Sequence, residues 1–443
     1  MIKVSVIMPV HNVEPYLRDC LDSVVKQTLK DIEIICVNDC STDQSLDILK
    51  EYEARDSRII VINNEAKQGA AKSRNLGMEY ARGEYLAIID SDDFCDLQML
   101  EISYNRCAEY DADLGTYDYY KYNNITKSTF HLSFPLYFMR EFEGSCFSFE
   151  QLNDQVFQLI NCAPWNKLYK RVFVIESGFK FQDIKNCNDN FFGYMILTKA
   201  QKVIYIDTDK PLYYYRVNLQ NQITSNVHWN PKCVLEALIA VKNSMKELGI
   251  FERYKRSFYS RAVDNFYYMF EKSEGNYREL YQLIQDEGLK ELDMMDCGQE
   301  NFISKYEYYR YLYLKNDEFD DRLKPNALFK NNELFHFLIS AGYKYGLWGY
   351  GAFGKSFYHA CHEHHLDLSC IIDEDITKLG LQVDGLAIQS FESASKIVNA
   401  VIVTNSQFSK DIYRVIRQSG REIKLIDIDS YLRLGLKIEE CIF

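Results

Sequence analysis

Three carboxylates fall within four positions in the segment Ile88-Ile-Asp-Ser-Asp-Asp-Phe94, at the end of an apolar run. Asp90, Asp92 and Asp93 repel one another at such spacing, and the cluster becomes favourable when Mg²⁺ or Mn²⁺ sits between carboxylates and a diphosphate. Taken alone, the same cluster reads first as an acidic turn capping the next helix. Two earlier apolar runs also end in polar turns, Pro9-Val-His-Asn12 and Val37-Asn-Asp-Cys-Ser-Thr-Asp43. Between them and the acids lies Gly69-Ala-Ala-Lys-Ser-Arg-Asn-Leu-Gly77.

The elements that must position these groups alternate. Short β-branched runs at Val4–Val10, Ile32–Asn38, Ile59–Asn63 and Tyr85–Asp90 are separated by helical patterns near Tyr16–Lys26, Gln44–Arg55 and Ala70–Ala81. This is the pattern of βαβ units, and it gathers the polar turns at the carboxyl edge of a parallel sheet. Residues 96 to about 227 read as mixed and irregular, and 228 to 340 as helical. A second α/β pattern begins near Lys344 with strands at Tyr345–Trp348, Leu368–Ile372, Ala400–Thr404 and Ile423–Ile428. The expected domains are therefore 1–227, 228–340 and 341–443.

The series VSVIMPVHN, VNDCSTD, Gly-x4-Arg-Asn-x-Gly and GEYLAIIDSDD resembles family 2 glycosyltransferases of the GT-A fold, in order and spacing over about 95 residues. The resemblance implies an α/β chain with an N-terminal GT-A domain, a Rossmann-like mixed sheet, followed by a helical middle and a small C-terminal Rossmann-like domain. It implies that Asp39 reads the uracil and ribose of a UDP-sugar, with Pro9, His11 and Asn12 bordering that pocket and Arg74 near the base or diphosphate. Asp90 and Asp92 become the paired acids around Mn²⁺ or Mg²⁺, with Asp92 the direct ligand and Asp93 its competitor. Cys40 stands where the family usually has Gly, and Asn38 where Asp is frequent.

The resemblance continues through Ala163-Pro-Trp-Asn-Lys-Leu-Tyr169 and Leu212-Tyr-Tyr-Tyr-Arg216, which adds Trp165, Asn166 and Lys167 to the substrate-binding candidates. Between them, Asn188-Asp-Asn-Phe-Phe192 occupies the place of an acidic pair, leaving Asp189 as the base that deprotonates the acceptor hydroxyl. Asp189 is also placed to cap the helix that follows. One base opposite the leaving group implies inversion at the anomeric carbon. His228 is a candidate to complete the metal shell.

Composition narrows the partners. Lys plus Arg total 51 against 64 Asp plus Glu, a formal charge of −13, which repels nucleic acid. Thirteen cysteines without a CxxC pair suit a reducing, cytoplasmic setting. No leader or spanning segment is evident, so any membrane contact is peripheral, at the inner face. The aromatic-basic run Phe302 to Lys315 is its candidate, with packing against other helices the preferred reading. The expected partners are a nucleotide-sugar donor and a glycan or lipid-linked glycan acceptor in surface polysaccharide synthesis; homo-oligomerisation stays open.

One motif stands apart. Gly349-x-Gly351-x-x-Gly354 follows a strand and precedes a helix, and Asp373 comes 19 residues later at the next strand end. That context suits a second nucleotide site, although the unit is shorter than a complete dinucleotide domain. Two competing functions follow: a nucleotide-sugar modifying or redox enzyme acting through this unit, and a non-catalytic nucleotide-sugar-binding protein.

Overall fold

Val4–Val10 (β1) and Ile32–Asn38 (β2) are apolar at most positions and buried along their whole length, as strands covered on both faces must be. With Ile59–Asn63 (β3) and Tyr85–Ile88 (β4) they form a parallel core in the order β3-β2-β1-β4. Helices Glu14–Val25 (α1), Ser45–Arg55 (α2) and Ala70–Tyr80 (α3) supply the crossovers. Gly77 lets α3 lie close on the sheet, because a Cβ there would overlap the Ile7 side chain. The fourth strand stops two residues short of the expected Asp90: the chain turns there, and the Asp93 N–H closes back on the Asp90 carbonyl at 3.1 Å.

The computed structural model describes residues 1–132, 145–208, 210–219, 230–272, 277–315, 332–349, 352–373, 378–404, 409–434 and 437–443. Beyond β4 come Phe94–Cys95 (β5), helix Met99–Tyr110 (α4), Leu114–Tyr117 (β6), Tyr119–Asn123 (β7), Thr129–Leu132 (β8) and Cys146–Phe147 (β9). Lys167–Lys170 (β10), helices Arg171–Ser177 (α5) and Asn190–Lys199 (α6), Val203–Ile206 (β11) and Tyr213–Val217 (β12) follow. The first sheet extends as β4-β10-β6-β11-β9, antiparallel at β10, and is therefore mixed. A smaller sheet, β5-β12-β7-β8, carries the Tyr-rich strand β12 next to the acidic turn. Helix α6 is apolar almost all round and accordingly buried.

The chain divides into two compact units, with the boundary between Met294 and Met295. The middle helices expected as a region of their own are thus shared out. Pro231–Glu247 (α7) and Phe251–Lys272 (α8) join the first unit, where α7 packs on α6. Lys305–Lys315 (α9) and Asn332–Ala341 (α10) join the second. Part of the aromatic-basic run is buried, with Arg310 in α9 paired to Glu307 at 3.0 Å and Phe302 stacked on Tyr311, while Tyr309 is exposed.

The second unit holds Tyr345–Trp348 (β13), helix Ala352–Glu363 (α11), Leu368–Ile372 (β14), Gln382–Val383 (β15) and Leu386–Gln389 (β16). Ala400–Val403 (β17), helix Ser409–Gln418 (α12), Lys424–Asp427 (β18) and helix Ile428–Leu434 (α13) complete it. Its sheet runs β15-β16-β14-β13-β17-β18, parallel except at β15. Five parallel strands in the winding order 3-2-1-4-5 form a Rossmann-like sheet.

Candidate active site

Arg74 and Asn75 on α3 tie the acidic turn to a segment more than a hundred residues away. The Arg74 guanidinium is buried; it donates from Nη2 to Asp90 Oδ1 at 2.6 Å and from Nη1 to Asn188 Oδ1 at 2.7 Å. It lies over the Phe181 ring, 5.3 Å from the centroid. Asn75 fixes that ring by exchanging two 2.9 Å hydrogen bonds with the Phe181 backbone. Buried charge is tolerated when it is paired and hydrogen-bonded, and Asn188 supplies a neutral acceptor where an acid was expected. The base candidate Asp189 is the next residue.

Asp189 stands at the N-cap of α6, yet its side chain does not cap that helix. Burial raises its pKa, and the Arg74 charge works against that rise. The preceding loop is anchored by Asn186, which exchanges hydrogen bonds with the Asn230 backbone at the start of α7.

The three acids of the turn differ in their surroundings. Asp93 is fully buried and accepts from the Tyr213 hydroxyl at 2.8 Å and the Arg216 backbone N–H at 2.7 Å. Asp90 is shared with Arg74, and its own N–H donates to Tyr213 Oη at 3.3 Å. Asp92 has no hydrogen bond to another described side chain, and burial with the neighbouring Asp90 charge pushes its pKa up to about 7. Among the described residues no group of three or more His, Cys, Asp and Glu is arranged to hold a metal ion. A pair such as Asp90 and Asp92 fits a hard cation that takes its remaining ligands from a diphosphate and water. His228 lies outside the described residues.

At the end of β2, Asp39 is engaged by its own neighbourhood. Its carboxylate accepts from the Gln68 and Gly69 N–H groups, both at 2.7 Å, and from the Asn64 amide at 2.9 Å. Its carbonyl accepts from His11 Nδ1 at 2.7 Å; this leaves His11 Nε2 to accept from Lys67 Nζ at 2.8 Å. Asn12 accepts the Thr42 N–H at 2.7 Å, while Pro9 is buried inside β1 opposite Val37. Cys40 holds φ at +54°, in the left-handed region that the more usual Gly enters without strain, and its thiol meets the Asn64 carbonyl.

Trp165, Asn166 and Lys167 are buried. The Trp165 indole stacks between Tyr213 and Tyr215 at 4.9 and 5.2 Å. Asn166 donates to the Tyr117 carbonyl at 3.1 Å. Lys167 Nζ is bound by Asn161 Oδ1, the Ala163 carbonyl and Asn166 Oδ1, and desolvation lowers its pKa to about 7. Three residues that carry the geometry have no role in the sequence reading: Asn75, Tyr213 and Arg216. All three sit in the quoted motifs, but their partners are long-range.

Acids and polar turns gathered at the carboxyl edge of a mixed sheet of this order define a GT-A-like α/β protein. The family model described as "Glycosyl transferase family 2" matches residues 5–178. Glycosyltransferase GlyA of Streptococcus pneumoniae serotype 4 is 38% identical over 220 residues, 48% of this chain and 30% of that protein. Glycosyltransferase GlyG of the same organism is 32% identical over 224 residues, 48% of this chain and 70% of GlyG. A 1–349 fragment of S. aureus TarS, solved with UDP-GlcNAc, has a TM-score of 0.52 at 20% identity, over 71% of this chain and 89% of that one. The TarS likeness is one of fold. The chain belongs to glycosyl transferase family 2, and it spans under two thirds of the length of GlyA.

Proposed function

We propose that the chain transfers a sugar from a nucleotide-sugar donor, of the UDP type, to a hydroxyl of a glycan or lipid-linked glycan acceptor, with inversion. The observation that carries this reading is the Arg74 bridge, which brings Asp90 of the acidic turn and the Asn188–Asp189 segment to one place. Asp189 takes the proton of the attacking hydroxyl, a role worth ~10²–10⁴-fold in rate. Its uncapped side chain supports that role. Asp92, with Asp90, would hold Mn²⁺ or Mg²⁺, which would supply charge neutralisation for the departing diphosphate. Asp93 buttresses the turn through Tyr213 and Arg216. Asp39 orders the Gln68–Gly69 loop beside the nucleoside, and His11 and Lys67 border it. Surface polysaccharide synthesis is the setting suggested by the family.

A cytoplasmic location is supported by the cysteines, all 13 of which lie among the described residues as free thiols. Among the described residues no helix is long and apolar enough to cross a membrane.

Incubation of the chain with a panel of nucleotide sugars, Mn²⁺ and a polysaccharide acceptor tests the reading through nucleoside diphosphate release. Release from a UDP-sugar that disappears in EDTA is the expected result. No release from any donor overturns the activity, and full release in EDTA overturns the cation's part in it.

A further inference from the structure

Lys167, the first residue of β10, is fully buried, and its three N–H donors are all engaged inside the protein. They go to the Ala163 carbonyl at 2.6 Å, Asn166 Oδ1 at 2.8 Å and Asn161 Oδ1 at 3.0 Å. No donor is left for a substrate. All three acceptors are neutral, so they satisfy the hydrogen bonds and leave the charge unbalanced. A buried charge requires a counter-charge.

The counter-charge stands at the start of α6. Asn161 and Ala163 flank Cys162, whose thiol donates to Asn190 Oδ1 at 3.1 Å. A Cβ on Gly193 would overlap the Cys162 carbonyl oxygen, so the loop that cages Lys167 and the first turn of the helix meet backbone to backbone. Tyr169, on the same face of β10 as Lys167, sets its ring 5.6 Å from that of Phe192 in the same helix. A helix N-terminus disfavours a nearby cation, and the carboxylate at this terminus is Asp189. Among the described residues, Asp189 is the carboxylate that acts on Lys167. Desolvation lowers the Lys167 pKa and the Asp189 charge opposes that; burial raises the Asp189 pKa, and Arg74 and Lys167 oppose it. The other groups around Asp189 are Arg74 on α3, already shared between Asp90 and Asn188, the Asp90 charge itself, the Tyr169 phenol, and the thiols of Cys162 and Cys187. Lys167 is sealed from solvent, whereas Asp189 stays partly exposed, as a group that meets an acceptor must be.

We infer that Lys167 is a positioning residue for the transfer reaction: with its hydrogen bonds met by the Asn161–Asn166 loop, its ammonium supplies the charge that keeps the Asp189 carboxylate ionised and ready to take the acceptor proton. The inference rests on Asp189 as the base.

Urea unfolding at pH 6 of wild type, Lys167→Met, Asp189→Asn and the double variant measures the pair without any ligand. The double variant loses less stability than the two single losses added together, because each single change strands a buried charge and the double change removes both. Should Lys167→Met not fold, Lys167→Gln, which keeps a donor for the loop without the charge, takes its place in the cycle. The second readout is the pH profile of nucleoside diphosphate release from UDP-GlcNAc, UDP-glucose or UDP-galactose at saturating Mn²⁺. In the Lys167 variant the acid limb of kcat moves to higher pH, so that kcat falls about tenfold at pH 6 and approaches wild type as pH rises through the range in which Lys167 itself loses its proton. A role in packing alone would lower kcat or stability without moving the limb. Additive stabilities or an unmoved limb overturn the inference, and if Asp189→Asn abolishes kcat in the same experiments the proposed function stands without it. Wild-type kcat in Asp189→Asn removes the base, and this inference falls with it.

Discussion

The two sheets reverse their winding in the same way, β3-β2-β1-β4 in the first unit and β16-β14-β13-β17 in the second. At equivalent strand ends they carry different chemistry. After the first, second and fourth strands the first unit has His11 with Asn12, then Asp39, then Asp90 with Asp92; the second has Gly349, Asp373 and Thr404. One edge is built from charged side chains cross-braced by Arg74, and the other from close backbone, a hydroxyl and a single acid paired with Lys378. The difference is one of electrostatics: a carboxylate edge repels a diphosphate until a cation joins them, whereas helix N–H groups accept it directly. One winding order therefore carries two edges of different electrostatic character.

The largest effect that sharpens this contrast lies at Asp189. Asp189→Asn keeps the shape and removes the proton acceptor, so kcat falls ~10²–10⁴-fold while the donor KM changes little. Initial rates across donor concentrations measure both. An unchanged kcat would leave the charged edge without its base and make the two edges alike as binding sites.

Next come the adjacent acids of the turn, which split function from stability. Asp92→Ala stops Mn²⁺-dependent turnover and leaves the melting temperature of the first unit unchanged or higher, because a desolvated like charge beside Asp90 is removed. Asp93→Ala leaves the Tyr213 hydroxyl and the Arg216 N–H without their acceptor. An orphaned buried donor costs about 1–3 kcal/mol, or a few degrees in the melting temperature of a unit this size. Swapped outcomes would assign the cation to Asp93.

This pair also shows what sequence could and could not convey. Strands β1 to β3 and β13 were readable to the residue because long apolar runs bounded by polar turns have few alternatives. The acidic triplet was readable as a cluster, but the separate environments of Asp92 and Asp93 depend on β12, which reaches the turn from 120 residues away. The Arg74–Asn188 hydrogen bond spans 114 residues and left no local pattern. Trp165, Asn166 and Lys167 have the residue types of a ligand pocket, and only tertiary packing against Tyr213, Tyr215 and Tyr117 shows them to be interior.

The smallest effect concerns a strand end of the second unit that buries an acid. Asp427, at the end of β18, is fully buried and accepts from the Ser409 hydroxyl at 2.7 Å, the Ser430 hydroxyl at 2.9 Å and the Ser430 N–H at 3.0 Å. Burial and the nearby Asp429 nonetheless push its pKa up from 3.8 to about 6. The folded state then holds the proton more tightly than the unfolded state. The associated stability is fully present below about pH 4, declines as pH rises toward 6, and is absent above it. The shift of about two units corresponds to at most about 3 kcal/mol. Asp427→Asn removes the titration, and both serine hydroxyls can rotate to accept from the new amide, so the variant's stability should be flat across that window. Hydrogen exchange at the Ile402 and Leu425 amides, in strands β17 and β18, follows the second unit separately and at equilibrium. Wild type should lose protection between pH 4.5 and pH 6.5, after correction for intrinsic exchange, and the variant should not. An equal loss in both would place the responsible group elsewhere and free Asp427 of any part in the pH dependence of folding.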